Sequence, residues 1–135
     1  MPTVYIFFIF FNMLGSMLAL FHISHTESIS FDNNKSIFVA FGVQLIHCIA
    51  ILGLIYLLKY SLLPRMCINL FHFAANLFCL GLLVFSLNIY LKYIFGYSFF
   101  APVIPFGGAT LFVGWAAVLT GQSIWLFRKI SGAKF

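Results

Sequence analysis

The residues best suited to chemistry in this chain carry no formal charge. Gln44 and His47 lie three apart, and Asn69, His72 and Asn76 follow in the next apolar stretch. Spacings of three, four and seven put each set on one face of a helix. A histidine among amide side chains offers three kinds of chemistry. It can relay a proton, hold a ligand by hydrogen bonds or, paired with His72, ligate a haem iron. The plainer reading is a buried hydrogen-bond network, from His47 through Gln44 to Asn76, that fixes helix register. His22 and His25, with Glu27 nearby, form a weaker set. Two imidazoles and one carboxylate fall short of the four ligands of a structural zinc site, so they read as exposed polar residues. Cys48, Cys67 and Cys79 are odd in number and form no paired motif. They read as small apolar packing residues. No GxSxG, HExxH or P-loop pattern occurs. Both carboxylates of the chain, Glu27 and Asp32, fall in one stretch, which leaves two-carboxylate catalysis little to work with. No catalytic residue, metal or cofactor is expected, and the reading leans away from an enzyme.

Composition fixes the solvent around these residues. Of 135 residues only seven are Lys or Arg and two are Asp or Glu, while 64% are hydrophobic. A water-soluble domain has about a quarter of its residues charged, so this chain is expected in the lipid bilayer. Disorder is excluded, because disordered chains are polar and poor in aromatics, and this one has 19 Phe. The net charge of +5 does not mark a nucleic-acid binder, since the basic residues stand at segment ends rather than on one face.

A membrane-spanning helix needs about 20 mainly apolar residues. Four windows qualify, at about 3–21, 37–58, 67–91 and 105–127, and none contains Lys, Arg, Asp or Glu. One such charge at a helix centre would cost about 2.5–3.5 kcal/mol. The expected fold is all-α, an integral membrane four-helix transmembrane bundle forming a single domain over residues 1–135. The first window has no basic residue before it and exceeds the roughly 7–15 apolar residues of a signal peptide, so it is expected to be retained. Lys59, Arg65, Arg128, Lys129 and Lys134 fall on one side of the bundle, and Lys35 and Lys92 on the other. The positive-inside rule then puts both termini in the cytoplasm or its organellar equivalent. Residues 22–36 form the main external loop, with Asp32 or Ser36 available to cap the second helix. Residues 92–104 are aromatic and end in Pro102 and Pro105. They read as an interfacial or shallow re-entrant turn, with Pro105 in the first turn of the fourth helix.

Helices in lipid associate through small residues and hydrogen bonds. In the fourth helix Gly107, Thr110, Gly114, Ala117 and Gly121 recur at spacings of three and four, the seam of a left-handed bundle. Asn12, Gly15, Ala19 and His22 repeat this weakly in the first helix, and Ala40, Gln44 and His47 in the second. With Asn69, His72 and Asn76 these faces imply one polar and small-residue interior, with Phe, Leu and Ile turned to lipid.

Three blocks resemble a known family. Gln44, His47, Ala50 and Gly53 fit the pattern QxxHxxAILG. Leu80, Gly81, Phe85, Ser86 and Tyr90 are similar to its LGxxLFSGSLY, with Asn88 where that pattern has serine. Pro105, Gly107, Gly108, Gly114, Trp115 and Leu119 fit its P[IV]GG…GW…L. Together, over about residues 10–127, they resemble the domain-of-unknown-function 423 family. The family's glycine-rich motif at the end of the first helix is replaced here by Ala19, His22 and His25. The resemblance implies a small four-helix protein of bacterial cytoplasmic (inner) membranes or mitochondrial inner membranes, and implies no activity. It directs attention to Gln44, His47 and the Pro105–Gly108 turn.

The expected function is a non-enzymatic accessory or interaction component of a membrane complex, with the lipid bilayer and a homo-oligomeric or complex partner around it. An alternative is a small carrier or channel, with Gln44, His47 and Asn76 lining a path. A haem or quinone site in electron transfer is a third reading.

Overall fold

The computed structural model describes residues 2–25, 31–60 and 62–132, and all regular structure among them is helical. Helix α1 is Pro2–Ser24, α2 is Phe31–Tyr60 and α3 is Arg65–Leu82. A π-helical turn, Leu83–Leu87, joins α3 to the short α4, Asn88–Tyr93. A single 3-10 turn, Ala101–Val103, leads into α5, Ile104–Ile130. The four crossings are 22, 25, 29 and 30 residues long. At about 1.5 Å per residue even the shortest exceeds the roughly 30 Å hydrocarbon core of a bilayer. The fold is thus an all-α four-helix bundle whose helices are long and apolar enough to cross a membrane.

The helices overrun the apolar windows at most of their ends. Backbone N–H and C=O groups near lipid must bond within the chain, so a helix continues through Lys35 and Lys59 after the apolar run has stopped. Asp32 and Ser36, expected as caps, therefore lie inside α2. Glu27 lies outside the described residues. Pro105 is the second residue of α5, where its missing N–H leaves no bond unmade.

The buried rows alternate in steps of three and four. In α1 they are Tyr5, Ile9, Asn12, Ser16 and Ala19; in α2, Ile37, Ala40, Gln44, His47 with Cys48 beside it, Ile51 and Leu54. This is the pattern of a left-handed bundle. α1 packs mainly on α2, and α3 mainly on α5.

The interior corrects one expectation. Large apolar side chains are not all turned to lipid: Phe71, Phe78, Ile37, Ile51 and Leu82 are the largest fully buried side chains. The glycines of α5 explain this. Phe71, Phe78 and Phe85 stand seven apart on the third crossing, and Gly121, Gly114 and Gly107 stand seven apart on α5, running the other way. Gly121 and Gly114 leave hollows for the rings of Phe71 and Phe78, and Gly107 lets the backbone of Val84 and Phe85 approach. A methyl group on Gly121 would lie 2.5 Å from Phe71 Cε1, one on Gly114 2.6 Å from Phe78 Cε1, and one on Gly107 2.6 Å from the backbone nitrogen of Phe85. Comfortable carbon contacts are about 3.5–4.0 Å, so nothing larger than hydrogen fits. Gly81 returns the relation, with Leu111 over it. Cys67 adds a weak bond from Sγ to Gly121 O at 3.4 Å.

Between α4 and α5 the chain turns at Gly96, whose φ of +74° suits a residue without Cβ. The N–H of Tyr97 donates to Leu91 O at 3.0 Å and closes the helix end. Phe95, Tyr97, Phe99 and Phe100 are all exposed, so this segment does not fold back into the bundle. Lys92 lies over the Tyr93 ring at 4.7 Å, and Lys129 over Trp125 at 5.5 Å. Basic and aromatic side chains paired at helix ends suit the headgroup level.

Candidate functional site

Gln44 is the junction of three elements. Its Nε2 donates to Asn12 O at 2.7 Å and to Asn12 Oδ1 at 3.1 Å. Its Oε1 accepts from the Tyr90 hydroxyl at 2.9 Å. Asn12 in turn donates from Nδ2 to Phe8 O at 3.0 Å. All three side chains are buried. The α1 and α2 rows bring Asn12 opposite Gln44, and the π turn brings Tyr90. An inward row at 78, 82, 86 and 90 advances by four each time, which on an α-helix drifts around the axis. The wider π turn at Leu83–Leu87 lets Ser86 and Tyr90 stay on the α2 side. Ser86 Oγ donates to Ala40 O at 3.3 Å. The same turn keeps Phe85 over Gly107 and Gly108. Interhelical hydrogen bonds in lipid are worth about 0.6 kcal/mol on average, so the Gln44 bonds together contribute about 2 kcal/mol.

His47 is about one turn further along the same buried row of α2 and reaches toward α5. Trp115 Nε1 donates to His47 Nε2 at 3.0 Å, and His47 Nδ1 lies 2.7 Å from Val43 O. An indole nitrogen is always a donor and a carbonyl always an acceptor. These two partners assign the neutral tautomer with its proton on Nδ1. The ring is held edge-on by Phe78 at 5.1 Å and Trp115 at 5.9 Å between centroids. With both nitrogens engaged, His47 offers a haem iron or a proton path no lone pair without breaking a bond.

Asn76 does not join this group. Its Oδ1 accepts from the Tyr5 hydroxyl at 2.9 Å, and Asn69 and Asn76 are largely exposed. The expected chain from His47 through Gln44 to Asn76 is replaced by separate links, His47 to Trp115, Gln44 to Asn12 and Tyr90, and Asn76 to Tyr5. Phe71, Ala74, Ala75 and Phe78 take the inward face of α3, and Asn76 is left on the flank toward α1. His72 stacks on Tyr5 at 6.4 Å, and its Nδ1 is buried without a partner. His25 packs against Phe21 at 4.4 Å. Among the described residues no three His, Cys, Asp or Glu converge on a metal position.

The sequence reading singled out Gln44, His47 and Trp115 but not their pairing. It overlooked Tyr5, and it quoted Ser86 and Tyr90 only as part of a motif. The signal for Tyr90 was present, since a buried tyrosine in lipid needs a partner for its hydroxyl. Beside the Gln44 junction a cleft of about 390 Å³ lies between α1 and the π turn with α4. Asn12, Gln44 and Tyr90 form its polar part, and Phe11, Leu18, Leu83 and Leu87 are among its walls.

The three sequence blocks therefore meet in space: Gln44 with Tyr90, His47 with Trp115, and Gly81 and Phe85 with Gly107. Neither the curated proteins nor the solved structures gave a match to the chain. The family model described as Protein of unknown function (DUF423) matches residues 17–108. That span holds the first two blocks and the start of the third, and ends before Gly114 and Trp115. As it covers about two thirds of the chain, this integral membrane protein belongs to the DUF423 family.

Proposed function

We propose that the protein is a non-enzymatic accessory or interaction component of a membrane complex, working through its lipid-level surfaces rather than through a reaction centre. The observation that supports this reading is the use made of the mid-depth polar groups. Gln44, His47, Ser86 and Tyr90 each bond to another helix. The groups a catalyst or path would need are thus the ones that hold the bundle together. Outside, α5 presents Phe106, Phe112, Leu119 and Phe127, all at least 65% exposed, to lipid or to a neighbouring helix. The charge distribution supports a cytoplasmic or matrix-side location for both termini. The resemblance read from the sequence blocks supports a bacterial cytoplasmic membrane or a mitochondrial inner membrane.

Native mass spectrometry after mild-detergent extraction tests the proposal. A stoichiometric partner or a defined homo-oligomer is expected. A protein that is strictly monomeric and free of partners in its own membrane overturns it.

A further inference from the structure

The cleft beside Gln44 has the size of a ligand site and unused hydrogen-bonding capacity at its floor. Its volume of about 390 Å³ lies within the roughly 300–1,000 Å³ of small-molecule sites. It runs along α1 from Asn12 to His22, about 15 Å at ~1.5 Å per residue. An amide nitrogen has two hydrogens and a hydroxyl oxygen two lone pairs. Gln44 Nε2 uses both hydrogens on Asn12. Asn12 Nδ2 uses one on Phe8 O and keeps one. The Tyr90 hydroxyl donates to Gln44 and keeps both lone pairs. One buried donor therefore awaits an acceptor, and an unmade donor is costly away from water. No Lys, Arg, Asp or Glu lines the cleft, and its one imidazole, His22, stands at the far end of the α1 wall, about 15 Å from Asn12, so a charged group at the Asn12 floor would be desolvated without a counter-ion. Apart from His22 and the Asn12, Gln44 and Tyr90 group, the walls are apolar. Gly15 leaves room in one of them, since a methyl group there would have nothing within 4 Å.

We infer that the cleft binds an uncharged, lipid-soluble carbonyl compound. Its oxygen accepts from Asn12 Nδ2 beside Tyr90, and its apolar body lies along Leu18, Leu83 and Leu87. The same chemistry belongs to a membrane quinone and to the ester carbonyl of a neutral acylglycerol. This site does not depend on the partner role proposed above.

The test is thermal unfolding of the purified protein in detergent with three probes: a decyl-substituted benzoquinone, monoolein and an anionic ether-linked lysophospholipid, which lacks the carbonyl. At least one of the first two is expected to raise the midpoint by about 5 °C, and the one that does so identifies the source. The lysophospholipid is expected to leave it unchanged. Gly15→Phe fills the cleft from a position with open space and is expected to abolish the shift while the helical circular dichroism stays the same. If that variant does not fold, Leu87→Trp serves instead, because Leu87 is 47% exposed and lines the same cleft. The inference is overturned by no shift with either carbonyl probe, by an equal shift with the charged lipid, or by a shift that survives cleft filling.

Discussion

The two sides of this bundle are held by different forces. Between α3 and α5 the contact is steric: the Phe71 and Phe78 rings sit over Gly121 and Gly114, and the backbone of Val84 and Phe85 sits over Gly107. Between α1, α2 and α4 a hydrogen-bonded junction centred on Gln44 adjoins an apolar cluster of Ala19, Ile37, Ala40 and Ile89, and a cleft opens beside it. Lipid gives helices no hydrophobic reason to associate, so close packing and hydrogen bonds must do the work. Here the two mechanisms are segregated. The steric side tolerates no added atom, while the polar side has room at Gly15 and depends on specific donors and acceptors.

Substitutions that enlarge a side chain should therefore act on one side, and substitutions that remove a hydrogen bond on the other. The largest effect is expected for Gly107→Leu, because the groups facing Gly107 are the backbone of Val84 and Phe85, which cannot rotate away. Overpacking of this kind costs about 3 kcal/mol, read as the loss in unfolding free energy in detergent. Next comes Gln44→Leu, which removes three bonds between elements and is expected to cost about 2 kcal/mol. The loosening should appear as faster amide exchange in α1 than in α5. Gly121→Ala is expected to cost about 1.5 kcal/mol, since Phe71 is fully buried and has nowhere to turn. Adding Phe71→Leu should recover part of that loss, and a double-mutant cycle measures how much. Trp115→Phe removes one donor to His47 and is expected to cost only about 0.6 kcal/mol. A much larger loss in equilibrium unfolding would show that the His47 link carries more of the fold than one bond.

The steric side was half legible in the sequence. The seam Gly107, Gly114 and Gly121 follows from spacing alone. Its complement did not stand out, because Phe71, Phe78 and Phe85 are three among 19 Phe and apolar residues in lipid are as much at home outside as inside. Polarity marked Gln44 and His47 as interior, and both are buried. It misled for Asn69 and Asn76, whose exposed positions follow from the glycines of α5 drawing Phe71 and Phe78 inward. The partners on the polar side were the least legible. Tyr90 reaches Gln44 only because the π turn resets the direction of the third crossing, and no residue in Leu83–Leu87 announces a π turn. Thr110, counted in the seam, bonds back to Phe106 O at 2.8 Å, while Leu111 is buried in its place.

This division of forces implies that the same added methyl group has opposite consequences on the two sides. Its most direct test is the unfolding free energy of Gly114→Ala measured beside that of Gly15→Ala. Alanine favours a helix by up to about 1 kcal/mol over glycine. At Gly15 nothing offsets that gain, and the variant is expected to match or exceed the parent. At Gly114 the methyl meets the fully buried Phe78 ring, and a net loss of about 1–2 kcal/mol is expected. Losses of equal size at the two positions, or a gain at Gly114, would contradict the account.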